Sequence, residues 1–359
     1  MKRKKTVLVA PLDWGLGHAS RCIPVIREII QLGHEPVIAS DGRALELLKV
    51  EFPELKWSRL QGYNPVYPED DGMVKKMAAQ VPKFFFAIVR EHLQLRRILR
   101  QYSIDAVISD NRYGLWTREK PSALLTHQLF IQMPAHLKWA ESWVNRLNHF
   151  FIRKFHSCWT PDFAGEDNLS GALSHGNTLP ANVTFIGTLS RFSLQPAEKG
   201  PEFLVILSGP EPQRSLLEEK ITAQLQTLPV RSLIVRGVTE ESKTSRLNEW
   251  CETVSHLTSE KMNAALLQSE TVVCRSGYSS IMELVSLGKQ AILIPTPGQT
   301  EQEYLAERLS GKNLFVMQTQ DALNLQEGMR KLKELNNSDF FPKGNMLKET
   351  LKQFLDSAS

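Results

Sequence analysis

Residues 271–288 read TVVCRSGYSSIMELVSLG, a pattern that predicts a strand, a tight turn and a helix in succession. The strand is the apolar run Thr271–Cys274, the turn contains Ser276 and Gly277, and the helix ends at Gly288. A helix that begins on small residues directs unpaired backbone N–H groups and the positive end of its dipole outward. We therefore expect a phosphate-binding site at this turn.

A single acid follows the turn inside the predicted helix. Glu283 lies outside the apolar face formed by Ile281, Leu284 and Val285, about two helical turns at most from the phosphate site. An ionised carboxylate can accept hydrogen bonds from two adjacent hydroxyls. Glu283 is therefore a candidate for binding a pair of sugar hydroxyls.

Strands and helices alternate outward from this segment over the whole chain. In the second half, strands are predicted at 203–207, 232–235, 271–274, 290–294 and 314–316, with helices near 213–226, 261–268, 280–287 and 302–309. In the first half, strands are predicted at 6–10, 36–40, 105–109, 123–126 and 183–186, with a helix at about 19–32. Such alternation is typical of parallel sheets covered by helices on both faces. We expect two doubly wound α/β domains in series.

The boundary between the two domains is marked by Pro196, Gly200 and Pro201, which cluster among polar residues. We place a Rossmann-like domain at 1–190, a linker at 191–201 and a second Rossmann-like domain at 202–359, whose last helix is free to pack back on the first. The region 61–80 is rich in Pro, Gly and acid and has no clear period, so it is predicted to be a long loop.

The composition is that of a globular protein without a membrane span. Its 359 residues suit two domains, 42% are hydrophobic, and the net charge of +4 does not call for a nucleic-acid partner. The four cysteines are far apart, which favours buried free thiols and a reducing cytoplasm over disulfides or metal ligands. No stretch approaches the roughly 20 apolar residues of a membrane helix. The predicted location is the cytoplasm, with peripheral attachment to the inner face of the membrane left open.

A glycine turn follows the first strand and opens the first helix. Gly15 and Gly17 allow a close approach of the backbone, and His18 follows them directly. An imidazole there could act as a general base, because its unperturbed pKa lies near neutral pH, or it could cap the helix without any chemistry. Asp110 ends another predicted strand at the same sheet edge. It could orient the histidine or serve only as a loop residue.

An NAD-binding domain is the rival interpretation of this glycine turn. Asp41 ends the second strand, about where a dinucleotide fold keeps its ribose-binding acid. However, Ser20 stands at the third glycine position, and His18 occupies the space that a pyrophosphate would need. The motif is therefore weak evidence for an oxidoreductase.

The order Cys-Arg-Ser-Gly, then Glu283, Gly288 and Pro295, resembles the nucleotide-sugar signature of MurG-type glycosyltransferases of family 28. The resemblance implies two domains that face each other across an active cleft (the GT-B fold). It also implies transfer of a hexose or N-acetylhexosamine from a UDP-sugar to an acceptor hydroxyl. N-acetylglucosamine is the sugar that the family as a whole suggests. Relatives invert the anomeric centre. With no Asp-x-Asp triplet in the chain, we expect no catalytic metal and no cofactor.

The resemblance also implies roles for particular residues. Glu283 would bind the ribose hydroxyls, His18 would be the base, Asp110 would orient it, and Gly17 would lie beside the donor. The remaining donor-side residues are placed by matching segments: Ser208, Gly209, Arg214, Arg275, Ser276 and Gly277 towards the diphosphate, His256 and Leu257 at the uracil edge, and Gln302 and Glu303 on the transferred sugar.

Two of these matches depart from the family pattern. Pro210 and Pro212 replace glycines after Gly209, and Glu303 stands where relatives have a second glutamine. A carboxylate only accepts hydrogen bonds, so the preferred sugar hydroxyl pattern changes. For Arg214 and Arg275, a solvated surface position is the plain alternative; for Glu303, it is an ordinary acidic helix start.

Two apolar and basic runs, 84–100 and 148–155, concern the acceptor side. Each fits an amphipathic helix that contacts anionic lipid, which would suit a lipid-linked acceptor or one in cell-envelope glycan synthesis. Each also fits a core-facing helix with solvated arginines. Two further functions stay open beside the transferase, namely a UDP-sugar 2-epimerase-type isomerase and a non-catalytic nucleotide-sugar-binding protein.

Overall fold

The computed structural model describes residues 3–63, 81–133, 135–196, 200–238, 243–335 and 344–358. The chain forms two compact units, one made of Met1–Ser190 with Lys343–Ser359 and the other of Arg191–Pro342. Each unit is built on one seven-stranded sheet. The predicted fold class of two Rossmann-like parallel-sheet domains is thereby confirmed.

The first unit has the strand order β3-β2-β1-β4-β5-β6-β7, and every neighbouring pair is parallel. Its strands are β1 (Thr6–Pro11), β2 (Glu35–Ser40), β3 (Lys56–Arg59), β4 (Ala106–Asp110), β5 (Ser122–Leu125), β6 (Ser157–Thr160) and β7 (Val183–Phe185). Its helices are α1 (Leu16–Gln31), α2 (Gly42–Glu51), α3 (Val81–Tyr102) and α4 (Glu141–Ile152), with short 3₁₀ helices at Ala135–Ala140 and Gly171–Leu173.

The second unit has the strand order β10-β11-β9-β8-β12-β13-β14, with one antiparallel pair, β10 with β11, at its edge. The strands are β8 (Phe203–Ile206), β9 (Ser232–Val235), β10 (Thr244–Arg246), β11 (Cys251–Val254), β12 (Thr271–Cys274), β13 (Ala291–Leu293) and β14 (Val316–Met317). The helices are α5 (Gln213–Leu225), α6 (Ser259–Gln268), α7 (Tyr278–Ser286), α8 (Thr300–Gly311) and α9 (Leu325–Glu334).

The last helix, α10 (Leu347–Asp356), belongs to the first unit. It packs against α1 and buries Leu351 and Leu355. Its Phe354 ring meets Trp159 of β6 edge to face, with 5.1 Å between the ring centroids. The end of the chain thus completes the layer of helices on the sheet of its first half.

Central strands of both units are buried on both faces, which explains their continuous apolar runs. Val7–Ala10 in β1 and Val272–Val273 in β12 are fully buried. On α1 the helical spacing of Ile23, Ile26 and Ile29 places all three in the core. All four cysteines are buried and free, as expected from their spacing.

The first helix begins earlier than the pattern suggested. It was expected near residue 19, but α1 starts at Leu16, so Gly17 and His18 lie in its first turn and not in the loop before it. Gly15 precedes the helix with a φ of 90°, a left-handed conformation that a side chain would strain. Of the predicted loop at 61–80, residues 64–80 lie outside the described part of the chain.

Candidate functional site

The first cluster of polar residues lies at the carboxyl edge of the first sheet. Pro11 ends β1 beside Asp110, which ends β4, so the loop after β1 and the start of α1 lie over that carboxylate. His18 Nδ1 lies 3.1 Å from Asp110 Oδ1. Asp110 is fully buried, whereas the imidazole keeps part of its surface exposed. The structure thus brings the two predicted catalytic residues together.

Arg21 completes this cluster, and the sequence interpretation missed it. Its guanidinium is 2% exposed and donates to both oxygens of Asp110, with Nε 2.7 Å from Oδ2. It also lies 3.2 Å from His127 Nδ1. The available signal was spacing: Arg21 follows His18 by three residues in α1, which places both on one helix face.

The position of the proton on His18 decides how these contacts work, because Nδ1 lies within hydrogen-bond distance of both Asp110 Oδ1 and Arg21 Nη2. Arg21 Nη2 and His18 Nδ1 both point at Asp110 Oδ1 and lie 2.9 Å from each other. A carboxylate oxygen has two acceptor sites, so both groups donate to it when His18 carries its proton on Nδ1. In that tautomer, Nε2 has a free lone pair and can accept a proton.

The charges of the cluster follow from burial and from these contacts. Burial lowers the pKa of His18, Asp110 raises it, and Arg21 lowers it again, so that it ends below 6.5. Burial would raise the pKa of Asp110, but Arg21 and His18 outweigh it and hold that pKa well below its usual value. At neutral pH, His18 is therefore a neutral imidazole beside an ionised carboxylate.

Removal of the arginine charge is expected to raise the pKa of His18. Without the cation the imidazolium is opposed by burial and by His127 only, so in Arg21→Met the pKa of His18 should rise. Histidine NMR titration measures it directly, and Arg21→Lys, which keeps a charge, is the control. A pKa that stays the same or falls in Arg21→Met, in a chain that remains folded by circular dichroism, would contradict this assignment.

A buried ion pair supports the loops around this cluster. Arg112 follows β4 and donates from Nη1 to Glu91 Oε1 of α3 at 2.8 Å, and both side chains are fully buried. Its remaining nitrogens donate to the carbonyls of Pro11 and Leu60. Tyr63 donates to the other Glu91 oxygen at 2.8 Å. These bonds fix the ends of β1 and β3 against the segment that follows Asp110.

The second cluster lies at the carboxyl edge of the second sheet, around the start of α7. Gly277 is the N-cap residue of α7, with φ −69° and ψ 138°. Its side chain cannot cap the helix, and no acid in the first turn offsets the positive end of the helix dipole. A methyl group placed on Gly277 would meet nothing within 4 Å. Space beside Gly277 and the absence of a capping side chain or acid at the start of this helix are therefore compatible with anion binding.

Two unpaired polar groups lie next to this helix start. Ser208 and Gly209 follow β8, the neighbour of β12, and Gly209 has a left-handed φ of 106°. A methyl group on Gly209 would lie 3.6 Å from Thr296 Oγ1 and 3.9 Å from Arg275 Nε. Among the described residues, neither of those buried atoms has a hydrogen-bond partner. Such orphaned groups suit a polar ligand atom at this edge.

The rest of the Arg275 side chain supports the protein itself. Its terminal nitrogens donate to Pro295 O at 3.0 Å, Gln213 O at 2.8 Å and Gln320 Oε1 at 2.6 Å. Burial lowers its pKa to about 10, so it stays charged at neutral pH. Arg214 is likewise held by acids, 2.6 Å from Glu211 and 2.8 Å from Glu218. Both arginines are thus held by the protein, so neither is a solvated surface residue, which was the alternative interpretation of each.

The carboxylate on α7 has a partner that the sequence interpretation did not identify. Arg191 Nε donates to Glu283 Oε1 at 2.9 Å, and the Glu283 side chain is 13% exposed. Burial raises the pKa of Glu283, while Arg191 opposes that rise. The Arg191 guanidinium lies over the Phe192 ring, 4.6 Å from its centroid. Glu283 is therefore oriented from one side before any ligand binds.

The segment before α8 is held by three of the predicted site residues. Ser276 donates to the backbone oxygen of Gln302 at 2.8 Å, and Gln302 Oε1 accepts from Thr296 N at 2.9 Å. Glu303 accepts from Gly298 N at 3.0 Å. This contact fits the alternative interpretation of Glu303 as an ordinary acid at the start of a helix. His256 is exposed and Leu257 half-buried, just before Thr258 caps α6.

Two negative observations concern the described residues alone. No three His, Cys, Asp or Glu side chains there are grouped so that they could hold a metal ion. Within the same ranges, none of the helices combines the length and apolar character needed to cross a bilayer. Asp41, the acid of the NAD interpretation, caps α2 and pairs with Arg59 at 2.8 Å.

Comparison with known sequences finds a similarity in the second half of the chain. Residues 213–359 match the glycosyltransferase family 28 C-terminal domain. The UDP-N-acetylglucosamine–N-acetylmuramyl-(pentapeptide) pyrophosphoryl-undecaprenol N-acetylglucosamine transferase of Rhodopseudomonas palustris is 28% identical over 160 residues, which cover 39% of this chain and 42% of that protein. The enzyme of the same name from Staphylococcus epidermidis is 20% identical over 305 residues, 78% of this chain and 75% of its own length.

Comparison with solved structures concerns the fold. The glycosyltransferase SnogD from Streptomyces nogalater superimposes with a TM-score of 0.70 at 13% identity, and the match covers 99% of this chain and 100% of that one. The two-sheet architecture is therefore similar to that of SnogD along nearly the whole chain. Residues 213–359 are therefore similar to the family 28 C-terminal domain, and the chain as a whole is similar to these N-acetylglucosamine transferases.

Proposed function

We propose that this chain is a glycosyltransferase that moves a hexose or N-acetylhexosamine from a UDP-sugar to an acceptor hydroxyl. One observation carries the proposal: α7 begins with an open, uncapped N-terminus and carries the mostly buried carboxylate Glu283. UDP has the complementary groups, a diphosphate for the helix start and a ribose diol for the carboxylate. UDP-N-acetylglucosamine is the first donor to test, because the sequence relatives are named for its transfer.

The diphosphate is stabilised here without a metal. The N–H groups of Ser276, Gly277 and the first turn of α7 meet the phosphate oxygens, and the Ser208–Gly209 loop closes over them. The terminal nitrogens of Arg275 hold its side chain in place, and its Nε, which has no partner among the described residues, is offered to the anion. Fixed dipoles of this kind stabilise a departing diphosphate as negative charge develops on it.

In the reaction, the acceptor oxygen bonds to the anomeric carbon while the bond from that carbon to the diphosphate breaks. His18 Nε2 takes the proton of the acceptor hydroxyl, Asp110 holds the ring in the required tautomer, and Arg21 fixes Asp110. Direct displacement inverts the anomeric centre, and UDP leaves with the electron pair. Because Gly17 has no side chain, the first turn of α1 leaves space beside His18.

Three further contacts complete the donor site. His256 and Leu257 offer backbone groups to the uracil edge, since they precede α6 with their surfaces accessible. The segment match assigns Gln302 and Glu303, at the start of α8, to the hydroxyls of the transferred sugar, although Gln302 Oε1 and Glu303 Oε1 also accept from backbone N–H groups. A carboxylate at position 303 favours hydroxyls that donate. Arg191 holds one oxygen of Glu283 and leaves the other for the ribose.

The acceptor is proposed to be a lipid-linked glycan of the cell envelope; the sequence relatives are named for an N-acetylmuramyl-(pentapeptide) pyrophosphoryl-undecaprenol acceptor. Two neighbouring helices of the first unit support a peripheral contact with the inner face of the membrane. On α3, Phe85, Phe86, Val89 and Leu93 are exposed, and on α4, Trp143, Leu147 and Phe150 are exposed. Phe85 meets Phe151 of α4, with 6.2 Å between centroids, so the two rows adjoin. We name these seven residues the apolar face; co-sedimentation with anionic vesicles at low salt tests its contact.

Loss of the Glu283 charge should weaken UDP binding through the ribose. A charge-assisted hydrogen bond contributes about 1.5–3 kcal/mol, so Glu283→Gln should bind UDP roughly 10- to 100-fold more weakly. Thermal stabilisation by UDP measures the change. Wild type should prefer UDP to 2′-deoxy-UDP, and the variant should not discriminate between them. An unchanged preference in the variant would refute the ribose role of Glu283.

The same assay separates the transferase from the other functions. If no nucleoside diphosphate stabilises the wild-type protein, the proposal is wrong. Conversion of UDP-N-acetylglucosamine without an acceptor would indicate an epimerase. Binding of UDP with no UDP release from the sugar donor, in the presence of extracted lipid acceptors, would indicate a nucleotide-sugar-binding protein.

A further inference from the structure

His127 is a buried histidine close to the proposed base, and the reaction described above gives it no role. It lies in the segment after β5, the strand that neighbours β4, so it belongs to the same sheet edge as Asp110. Only 4% of its surface is exposed. Its Nδ1 lies 3.2 Å from Nη1 of Arg21, the residue that donates to both oxygens of Asp110. His127 is therefore connected to the proposed catalytic pair through one arginine.

The contact decides which nitrogen of His127 carries the proton. A guanidinium has donors and no acceptor, so in a hydrogen bond between the two groups Arg21 Nη1 donates and His127 Nδ1 accepts. The ring is then neutral, with its proton on Nε2. His18 needs the opposite tautomer, because its Nδ1 must donate to Asp110 for Nε2 to act as the base. His127 thus serves Arg21 as an acceptor and does not compete with it for the carboxylate.

The contact also fixes the guanidinium of Arg21 at its third nitrogen. Nε and Nη2 donate to the two oxygens of Asp110, and Nη1 is directed to His127. A planar group that is bound along two of its edges is held against rotation in its own plane. Arg21 is only 2% exposed, so bulk water does not take the place of these partners. The position of Nη2 against Asp110 Oδ1, the oxygen that also meets His18, therefore depends on His127.

The segment that carries His127 is anchored by polar side chains of α4. Asn148 Nδ2 donates to the carbonyls of the two residues directly after His127, at 2.9 and 3.1 Å. Asn145, about one turn earlier in the helix, accepts from the N–H group of Ile131 at 2.6 Å and donates to its carbonyl at 3.3 Å. These bonds fix the backbone of the segment independently of Arg21. His127 is thus a fixed point against which the arginine is held.

His127 also acts on His18 through its charge. Burial lowers the pKa of His18 most; of the charged groups around it, Asp110 raises that pKa, and Arg21 and His127 lower it. A simpler explanation is that His127 only satisfies a buried N–H group of Arg21, as buried polar groups ordinarily require. That explanation predicts a loss of stability without any change at His18, so an experiment can separate the two.

We infer that His127 is a positioning residue for the proton transfer, and that it acts through Arg21 on the orientation of the His18 ring. Its effect on turnover rests on the proposed transferase function, whereas its effect on the ring needs no substrate. Without the acceptor, Arg21 Nη1 would lose this partner in a buried place, and the guanidinium would turn from the position that fixes Asp110 Oδ1. A catalytic group displaced by about 1 Å can slow a reaction roughly 100-fold.

Two substitutions separate the acceptor from the ring. His127→Leu fills a similar volume without an acceptor, whereas His127→Asn presents Oδ1 about where the imidazole has Nδ1. In His127→Leu, turnover should fall about 10- to 100-fold, while the KM for the sugar donor and the thermal stabilisation by UDP stay at wild-type values. The pKa of His18, followed by histidine NMR titration, should rise, because Arg21 is no longer held beside the ring and the charge of His127 is gone. His127→Asn should keep most of the turnover and show a smaller rise.

The matched control is His175→Leu, the same substitution at a histidine of the first unit that lies 2.9 Å from both Ser174 Oγ and the carbonyl oxygen of Phe163. It should leave turnover and the pKa of His18 unchanged, and losses as large as those in His127→Leu would reduce the effect to general destabilisation. Unchanged turnover and pKa in His127→Leu would overturn the inference. Equal changes in His127→Leu and His127→Asn would do the same, because the effect would then not depend on an acceptor.

Two further results are assigned in advance. If His127→Leu does not fold by circular dichroism, His127→Gln takes its place, since its side chain is polar but its acceptor lies one bond beyond the position of Nδ1; its turnover should fall as predicted for the leucine variant. If the wild-type protein releases no UDP from any sugar donor, the proposed function fails. A larger rise in the pKa of His18 in His127→Leu than in His127→Asn would still establish the positioning contact.

Discussion

His18→Gln is expected to lower the turnover number by about 10²- to 10⁴-fold, the usual contribution of a general base. The amide can still donate to Asp110 and fill the same space, but it cannot accept the proton of the acceptor hydroxyl. The affinity for UDP should stay the same, because the residues proposed to hold the diphosphate and the ribose lie in the second unit. UDP release from the sugar donor measures turnover, and UDP-dependent thermal stabilisation measures donor affinity.

The histidine is a cleaner target than the aspartate. Asp110→Asn would leave the buried guanidinium of Arg21 without its counter-ion, and breaking a buried pair costs about 3–5 kcal/mol of stability. Lost activity in that variant would not distinguish catalysis from unfolding. In His18→Gln, by contrast, the Arg21–Asp110 pair stays intact, so a full loss of turnover in a stable protein assigns the proton transfer to the imidazole.

The acid side of the pH–rate profile should report the protonation of His18. A general base works only when unprotonated, so activity should fall as pH drops through the pKa of His18. Because burial and Arg21 hold that pKa below 6.5, the fall should occur on the acid side of 6.5 and not at neutral pH. His18 would have no role in the mechanism if the turnover number of His18→Gln were within threefold of wild type. The same would follow if the activity of His18→Gln fell with decreasing pH as that of wild type does.

Local signals were enough to predict most strands of both sheets, and the strand, turn and helix on which the anion site is proposed. The run 271–288 carries its strand, turn and helix in eighteen neighbouring residues, and Thr271–Cys274 and Ser232–Val235 form strands as the pattern indicated. In contrast, β3 and β10 present mostly exposed residues without an apolar alternation. Their place in a sheet comes from a neighbouring strand, which no local period reveals.

The partners of the site residues were beyond local signals for the same reason. Arg21 binds a carboxylate 89 residues away, and Arg191 binds one 92 residues away. A charged residue on an amphipathic helix or in a linker is ordinarily solvated, so nothing in its neighbours reveals that it is buried. Folding pairs them because an isolated buried charge would cost far more than a paired one. The sequence can therefore name the acids of the site more readily than the arginines that hold them.

Gly277→Asp should strengthen the fold and abolish donor binding at the same time. The backbone at Gly277 already has the extended conformation of an N-cap residue, and the space beside it is open, so a side chain fits without strain. Its carboxylate would accept from the first turn of α7 and meet the helix dipole, which stabilises the fold by about 0.3–1 kcal/mol. The same charge would occupy the place of the diphosphate. At about 4 Å and an effective dielectric near 20, the repulsion is on the order of 4 kcal/mol, enough for a hundredfold loss of UDP affinity or more.

Two neighbouring substitutions separate the charge from the shape. Gly277→Asn offers the same cap in the same volume without the charge, so it should keep most of the stability and lose much less UDP affinity. Gly277→Ala adds only a methyl group to open space and should bind UDP nearly as wild type. Chemical unfolding and UDP titration measure the two quantities independently. If the aspartate variant binds UDP as tightly as the asparagine variant, no phosphate lies at the start of α7, and the donor site must be sought elsewhere; a purely structural glycine would instead lose stability in all three variants.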